Sequence, residues 1–305
     1  MKHTVITKAQ LKAESETLKI PFSNLLAGYL LEELLYLITE SEYSACLWLK
    51  NSGILGVEQY KKKENGLRLD FAYIVRSGAE EKDGPYPGQR ISLKLAYVML
   101  LQFLEKGKTP KIKWKGKAVL GENGVEYEIV GEFEEMAVPL RVCMTEIMAD
   151  DNYMPVPRDF APFMAPEEEI SYLEYPKEML LAEQLGIILK QMELIQDMGA
   201  YLKIYQILSQ HSFDGRHVKA LLLRICEKEG ISTEEKRLQE LLSYRKYSYM
   251  RKRWEKYLRR LEQTEPGWEK MMDMLEKFLN PVWLAVSRDE IFFGDWMPDL
   301  ERFLD

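Results

Sequence analysis

Cysteine and histidine are scarce in this chain. Its 305 residues hold three cysteines, Cys46, Cys143 and Cys226, widely spaced and without a Cys-x-x-Cys pair. That excludes a disulfide scaffold and a thiolate zinc site, and it suits a reducing cytoplasm. Of the three histidines, His3, His211 and His217, only the last two are near each other, so histidine-based metal chemistry and a Ser-His-Asp triad are not expected. Long apolar runs are missing too. The two most apolar stretches, 25–38 and 91–104, are too short to span a bilayer and carry polar residues at helical intervals. The polar start MKHTVITKAQLKAESETLK has no apolar centre for a signal peptide. A surplus of positive charge is also absent. The net charge of −7 means that the molecule as a whole is not built to coat nucleic acid. The expectation is a soluble cytoplasmic protein with no membrane partner.

What is present is a globular composition, 46% hydrophobic and 30% charged, with length for one large domain or two ordinary ones. Residues 22–40 place apolar side chains at three- and four-residue steps, which predicts an amphipathic helix with Ser23 or Asn24 as its cap after Pro21. The run ACLWL at 45–49 predicts a buried strand, and NSG at 51–53 a turn. LRLDFAYIV at 67–75 predicts a strand with Arg68 and Asp70 on one face. ISLKLAYVMLLQFLEKGK reads as a strand in its first half and a helix in its second. From 111 the segments KIKWKG, KAVLG, VEYEIVGEF and AVPLRVCMTEIM alternate, with GENG as a hairpin turn. The stretch 150–170, with four prolines, reads as a connecting segment. After Tyr175 come six amphipathic helical segments, the last broken or kinked at Pro281. The expected fold is therefore α+β: an α/β unit over 1–170 and a helical unit over 171–305.

The order of six segments resembles the AbiEii/AbiGii toxin family of nucleotidyltransferases, from bacterial abortive-infection systems. These are KIPFSNLLAGYLLEELLYLITESEYSACLWLKNSGIL, LRLDFAYI, YPGQRISLKLAYV, VCMTEIMADDNYMP, LEYPKEMLLAEQLGIIL and MGAYLKIYQILSQHSFDG, together covering roughly residues 15–230 in family order. The resemblance implies a nucleotidyltransferase-like mixed sheet, Mg²⁺ and an NTP, and transfer of a nucleotide onto tRNA or a protein. It also implies an antitoxin partner and a role in toxin–antitoxin or phage defence. Such chemistry needs clustered carboxylates, because Mg²⁺ takes oxygen ligands and bridges phosphate oxygens.

At the positions that carry this chemistry the sequence departs from the family. The Gly-Gly turn is replaced by Asn51–Ser52, followed by Gly53, although Lys50 before it is kept. In the Asp-x-Asp strand, the register that keeps Leu-Asp-Phe makes Asp70 the second acid and puts Arg68 at the first. The other register makes Asp70 the first and Ala72 the second. The third acid aligns with Glu146. The lysine of the first C-terminal helix is Gln184, with Glu183 before it, and Asp197, Gly199, Ala200 and Lys203 stand where the sixth segment has Arg, Lys, Asp and Asp. The resemblance thus assigns Asp70 and Glu146 to catalysis and metal binding, and Lys50, Ser52, Gly53, Glu183 and Gln184 to the nucleotide. Apolar positions keep their character while charged site positions change theirs, so the expected protein keeps the fold, has an eroded metal site and acts by binding. The alternative is one Mg²⁺ held by Asp70 and Glu146 in an active transferase. Asp70 has a structural reading as well, an ion pair with Arg68, Lys50 or Arg90, and Asp150 and Asp151 read as a solvated loop.

One segment is strongly basic. Residues 245–260 hold eight cations, Arg245, Lys246, Arg251, Lys252, Arg253, Lys256, Arg259 and Arg260, against Glu255 alone, with Tyr247, Tyr249, Trp254 and Tyr257 among them. The core-like spacing of the aromatics favours an amphipathic helix with aromatics inward and a solvated cationic face, and such a face can still serve as an RNA or acidic-partner surface.

Overall fold

The alternating segments of the first half pair into one sheet. A computed structural model describes residues 6–61, 67–76, 90–106, 111–149 and 154–304. The chain divides into two compact units, Met1–Pro176 and Lys177–Asp305.

The first unit is built on seven strands: β1 (Leu47–Leu49), β2 (Arg68–Arg76), β3 (Ile112–Gly121), β4 (Gly124–Phe133), β5 (Met136–Ala149), β6 (Val156–Phe160) and β7 (Ile170–Glu174). Their order is β3-β4-β5-β2-β1-β7-β6. The sheet is mixed, with β2 parallel to β5, β1 parallel to β7 and the other neighbours antiparallel. On β2 and β5 one face carries Leu69, Phe71, Tyr73, Leu140, Val142 and Met144, all buried in a single core. Helices α1 (Lys8–Leu18), α2 (Phe22–Thr39), the short α3 (Val57–Tyr60) and α4 (Leu93–Lys106) belong to the same unit.

Several local expectations need correction. α2 has Pro21 at its cap position and no side-chain cap from Ser23 or Asn24. Its stability comes instead from burial of Leu30, Leu31, Leu34 and Leu35, all fully enclosed. The segment read as half strand is helical from Leu93. Ser92 Oγ accepts from Leu95 N at 3.1 Å, and Ala96, Met99, Leu100 and Phe103 give a helical stripe into the core. KIKWKG and KAVLG form one strand, β3, not two. The proline-bearing stretch after 150 carries β6, which takes the sheet edge, where Pro157 costs no interior ladder bond.

The second unit has α5 (Lys177–Gln191), α6 (Gly199–Gln210), α7 (Gly215–Glu229), α8 (Glu235–Ser243), α9 (Ser248–Arg260) and α10 (Trp268–Ser287). It also has a small sheet that the sequence did not suggest, β8 (Phe213–Asp214), β9 (Asp295–Met297) and β10 (Arg302–Leu304), in the order β10-β9-β8. α10 runs through Pro281 without ending, with Phe278, Leu279, Val282 and Trp283 buried on both sides of it. Asp214 caps α7 by accepting from Arg216 N at 2.8 Å. Among the described residues, no helix is long and apolar enough to cross a membrane.

Candidate functional site

The turn after β1 is shaped by one asparagine. Lys50 N donates to Asp70 O at 2.7 Å, extending the antiparallel pairing one step past β1. Beyond it the Asn51 side chain takes over the ladder. Its Oδ1 accepts from Asp70 N at 2.9 Å and its Nδ2 donates to Arg68 O at 2.7 Å. A carboxamide has the donor and acceptor of a peptide unit, so it satisfies the strand while the main chain turns away through Ser52–Ile54. Ser52 Oγ donates to Glu174 Oε1 on β7, and Glu174 Oε2 accepts from Arg158 Nε at 3.0 Å. The hydroxyl assigned to the nucleotide is thus held by a buried carboxylate. Gly53 is exposed, with open space where a side chain would start. Lys50 Nζ lies 4.8 Å from the centre of the Tyr175 ring.

Register decides which side chains meet. Across β2 and β5, Arg68 stands opposite Arg141, Asp70 opposite Cys143 and Ala72 opposite Thr145. Those residues share one face, with Lys50 beside Asp70 just past the end of β1 and with Glu126 and Glu128 beside Cys143 and Arg141 on β4. The charges on this face satisfy each other. Asp70 Oδ2 accepts from Arg68 Nη2 at 2.9 Å, and Oδ1 lies 2.6 Å from Arg68 Nε, too oblique for a second hydrogen bond. The carboxylate raises the guanidinium pKa further above its ordinary value. Arg141 lies 3.5 Å from Glu126, and Lys117 lies 2.8 Å from Glu128.

Glu146 stands opposite Tyr73, three residues beyond the partner of Asp70. An odd offset reverses the face, and three residues of strand span about 10 Å. Glu146 therefore lies on the other side of the sheet from Asp70. There Oε2 accepts from Ile91 N at 2.9 Å, and Oε1 lies 3.7 Å from Arg90 Nε. Asp70 and Glu146 do not converge on one ion. The β5 residues that face Asp70 and Arg68 are Cys143 and Arg141, neither of them a carboxylate. Among the described residues no group of three His, Cys, Asp or Glu could hold a metal. The donor set at this position does not fit Mg²⁺: Asp70 is ion-paired with Arg68, Glu126 and Glu128 lie against Arg141 and Lys117, and a thiol stands opposite Asp70.

Glu183 and Gln184 sit on α5 in the second unit, Gln184 buried and Glu183 half-buried. Asp150 and Asp151 lie outside the described residues. The basic segment forms the end of a 3-10 turn and α9. Met250, Trp254 and Leu258 point inward, as an amphipathic helix requires. Three of the eight cations are committed internally. Arg245 pairs with Asp273 and Glu276, each at 2.8 Å, and Arg251 with Glu269 at 2.8 Å. Arg253 donates to the carbonyl oxygens of Ile195 and Glu193.

Sequence reasoning missed Asn51, Arg141, Arg158 and Glu174 as members of these networks. The face of Glu146 was open to it. Leu140, Val142 and Met144 mark the core parity of β5 and Glu146 continues it, while Arg141, Cys143 and Thr145 share the opposite parity.

No protein-family model and no curated protein matches the chain. Similar solved structures exist. One is the crystal structure of JHP933 from Helicobacter pylori, 10% identical, covering 93% of this chain and 94% of that one at a TM-score of 0.40. Another carries the description "putative nucleotidyltransferase from H. pylori", 9% identical, covering 93% of this chain and 97% of that one at a TM-score of 0.36. At these values neither likeness brings an activity to this chain.

Proposed function

We propose that the first unit is a nucleotidyltransferase-like module that acts by binding, without metal-dependent transfer, in the toxin–antitoxin or phage-defence setting of the family its motifs resemble. The observation that carries this reading is Arg68 on Asp70. A guanidinium holds the only acid of the Leu-Arg-Leu-Asp strand, on the face where a metal cluster would need two or three free carboxylates. Glu146, on the other face, is engaged by Ile91 and Arg90. The motif resemblance supplies the setting, and the strand–turn–strand arrangement of Lys50, Ser52 and Asp70 supports the fold part of the reading.

The test is a transfer assay. The protein is incubated with each of four α-labelled NTPs, Mg²⁺ and total bacterial RNA. The expected result is no label on RNA or protein, with wild type and Asp70→Ala indistinguishable. Label transferred by wild type and lost in Asp70→Ala would establish the active transferase instead.

A further inference from the structure

The basic segment, Lys246 at the end of the 3-10 turn and the outer surface of α9, carries a concentration of uncommitted charge. Five cations remain after the internal pairs are subtracted: Lys246, Lys252, Lys256, Arg259 and Arg260. All five are exposed. Among the described residues none of the five has an acidic partner within salt-bridge distance, and Arg259 Nε reaches only the Glu255 carbonyl of its own helix, at 3.3 Å. At 100° per residue, Tyr249, Lys252, Lys256, Arg259 and Arg260 fall within an arc of roughly 100° and extend along about 16 Å of the helix. No acid lies inside that arc, and Glu255 flanks it.

Aromatic rings stand at the start of the stripe. Tyr247 and Tyr249 are each 40% exposed, with ring centres 5.9 Å apart and planes tilted by 41°. The Tyr249 hydroxyl donates to Glu193 at 3.3 Å, which tethers the partly exposed ring. Beside the stripe runs a groove of about 530 Å³ whose lining includes Arg251, Arg259, Leu258, Trp254 and Trp268 together with two acids, Glu255 and Glu269, the latter paired with Arg251. Two open rings that lead into a row of free cations match a strand with unpaired bases. Phosphates sit on the cations, and end bases stack on the rings. An acidic protein segment would use the cations and leave the rings idle.

We infer that the α9 face of the second unit is a docking surface for single-stranded nucleic acid, gripped through Lys246, Lys252, Lys256, Arg259 and Arg260 and stacked on Tyr247 and Tyr249. Cations address phosphates and rings address base faces, features that RNA and DNA strands share, so both are expected to bind. The inference is independent of the sheet site and stands whether or not that site is catalytic.

Fluorescence anisotropy on the full chain tests it, with labelled oligo(U) and oligo(dT) of about 12 nucleotides, a duplex of the same length, and poly-glutamate. The expected result for wild type is binding of both single strands, with log affinity falling against log salt at a slope near −3.5, about 0.7 per cation. The triple variant Lys252→Glu, Lys256→Glu, Arg260→Glu lowers affinity at least tenfold and shortens the slope by about 2. Tyr247→Ala with Tyr249→Ala weakens binding and leaves the slope unchanged. Lys12→Glu, in the first unit, changes neither, and unaltered circular dichroism shows that each variant is folded. No binding of single strands at low salt, full binding by the triple variant, or equal or tighter binding of duplex or poly-glutamate would overturn the inference.

Discussion

Two charged regions of this protein have opposite economies. On the sheet face of the first unit, Arg68, Arg141 and Lys117 lie against Asp70, Glu126 and Glu128, so charge is consumed locally. In the basic segment 245–260 only the cations nearest other elements are consumed, and five stay open. A count of charged residues cannot tell these regions apart. Strand register and helix phase can, because each decides whether an opposite charge comes within reach.

Strand β2 has a core face and a charged face. Phe71→Ala removes a fully buried ring and is expected to cost about 3–5 kcal/mol. Arg68→Ala, one step further along the other face, is expected to cost about 1 kcal/mol or less, since the pair is partly exposed. Urea unfolding of both variants checks this. Equal losses would mean that the Arg68–Asp70 pair is a core element and not a substitute for a metal cluster.

Asp70 has a cation beside it, whereas among the described residues Glu32 on α2 has none in contact. Burial pushes the Glu32 pKa up to about 8, against the partial relief of a hydrogen bond from Tyr60 Oη at 2.7 Å and another from Phe163 N at 3.1 Å. The folded state therefore holds a proton that the unfolded chain has released at neutral pH. Stability is fully present at acid pH below the ordinary glutamate value and falls as pH rises to about 8, by up to about 1.4 kcal/mol per unit. Glu32→Gln is expected to flatten that slope in urea titrations between pH 5 and 8. An unchanged slope would assign the pH dependence to another group.

Within α9 itself, the committed and the free cations differ. Arg253→Ala strands the Ile195 and Glu193 carbonyls and is expected to cost about 1.5–3 kcal/mol. Lys252→Ala, one residue away and exposed, is expected to change stability by less than about 0.5 kcal/mol. Thermal melts of the two variants separate them. A cost at Lys252 comparable to that at Arg253 would show that the outer stripe is structural.

Much of the fold was legible because periodicity is local. The alternation of Val125, Tyr127, Ile129 and Phe133 and the helical spacing of α2 declare their elements directly. α4 was half legible, because ISLKLAYV alternates like a strand until Ala96, Met99 and Phe103 are counted as one stripe. β6 was hidden by Pro157, which an edge strand tolerates and an interior one does not. The site was legible in its residues but not in its pairings. Arg68 and Asp70 sharing a face followed from strand alternation, whereas Asn51 replacing a ladder rung and Glu174 holding Ser52 depend on which strands become neighbours. No spacing along the chain states that.

The carboxylate of Asp70 is committed to Arg68, and among the described residues no cluster of metal-ligating groups stands with it on the sheet. Calorimetric titration of the full chain with Mn²⁺, alone and with a saturating NTP, tests this most directly, using wild type, Asp70→Ala and the reconstituting variant Arg68→Asp. The expected result is no site-specific Mn²⁺ heat in wild type or Asp70→Ala, and a new, weak heat in Arg68→Asp. Stoichiometric Mn²⁺ binding by wild type that disappears in Asp70→Ala would contradict the account.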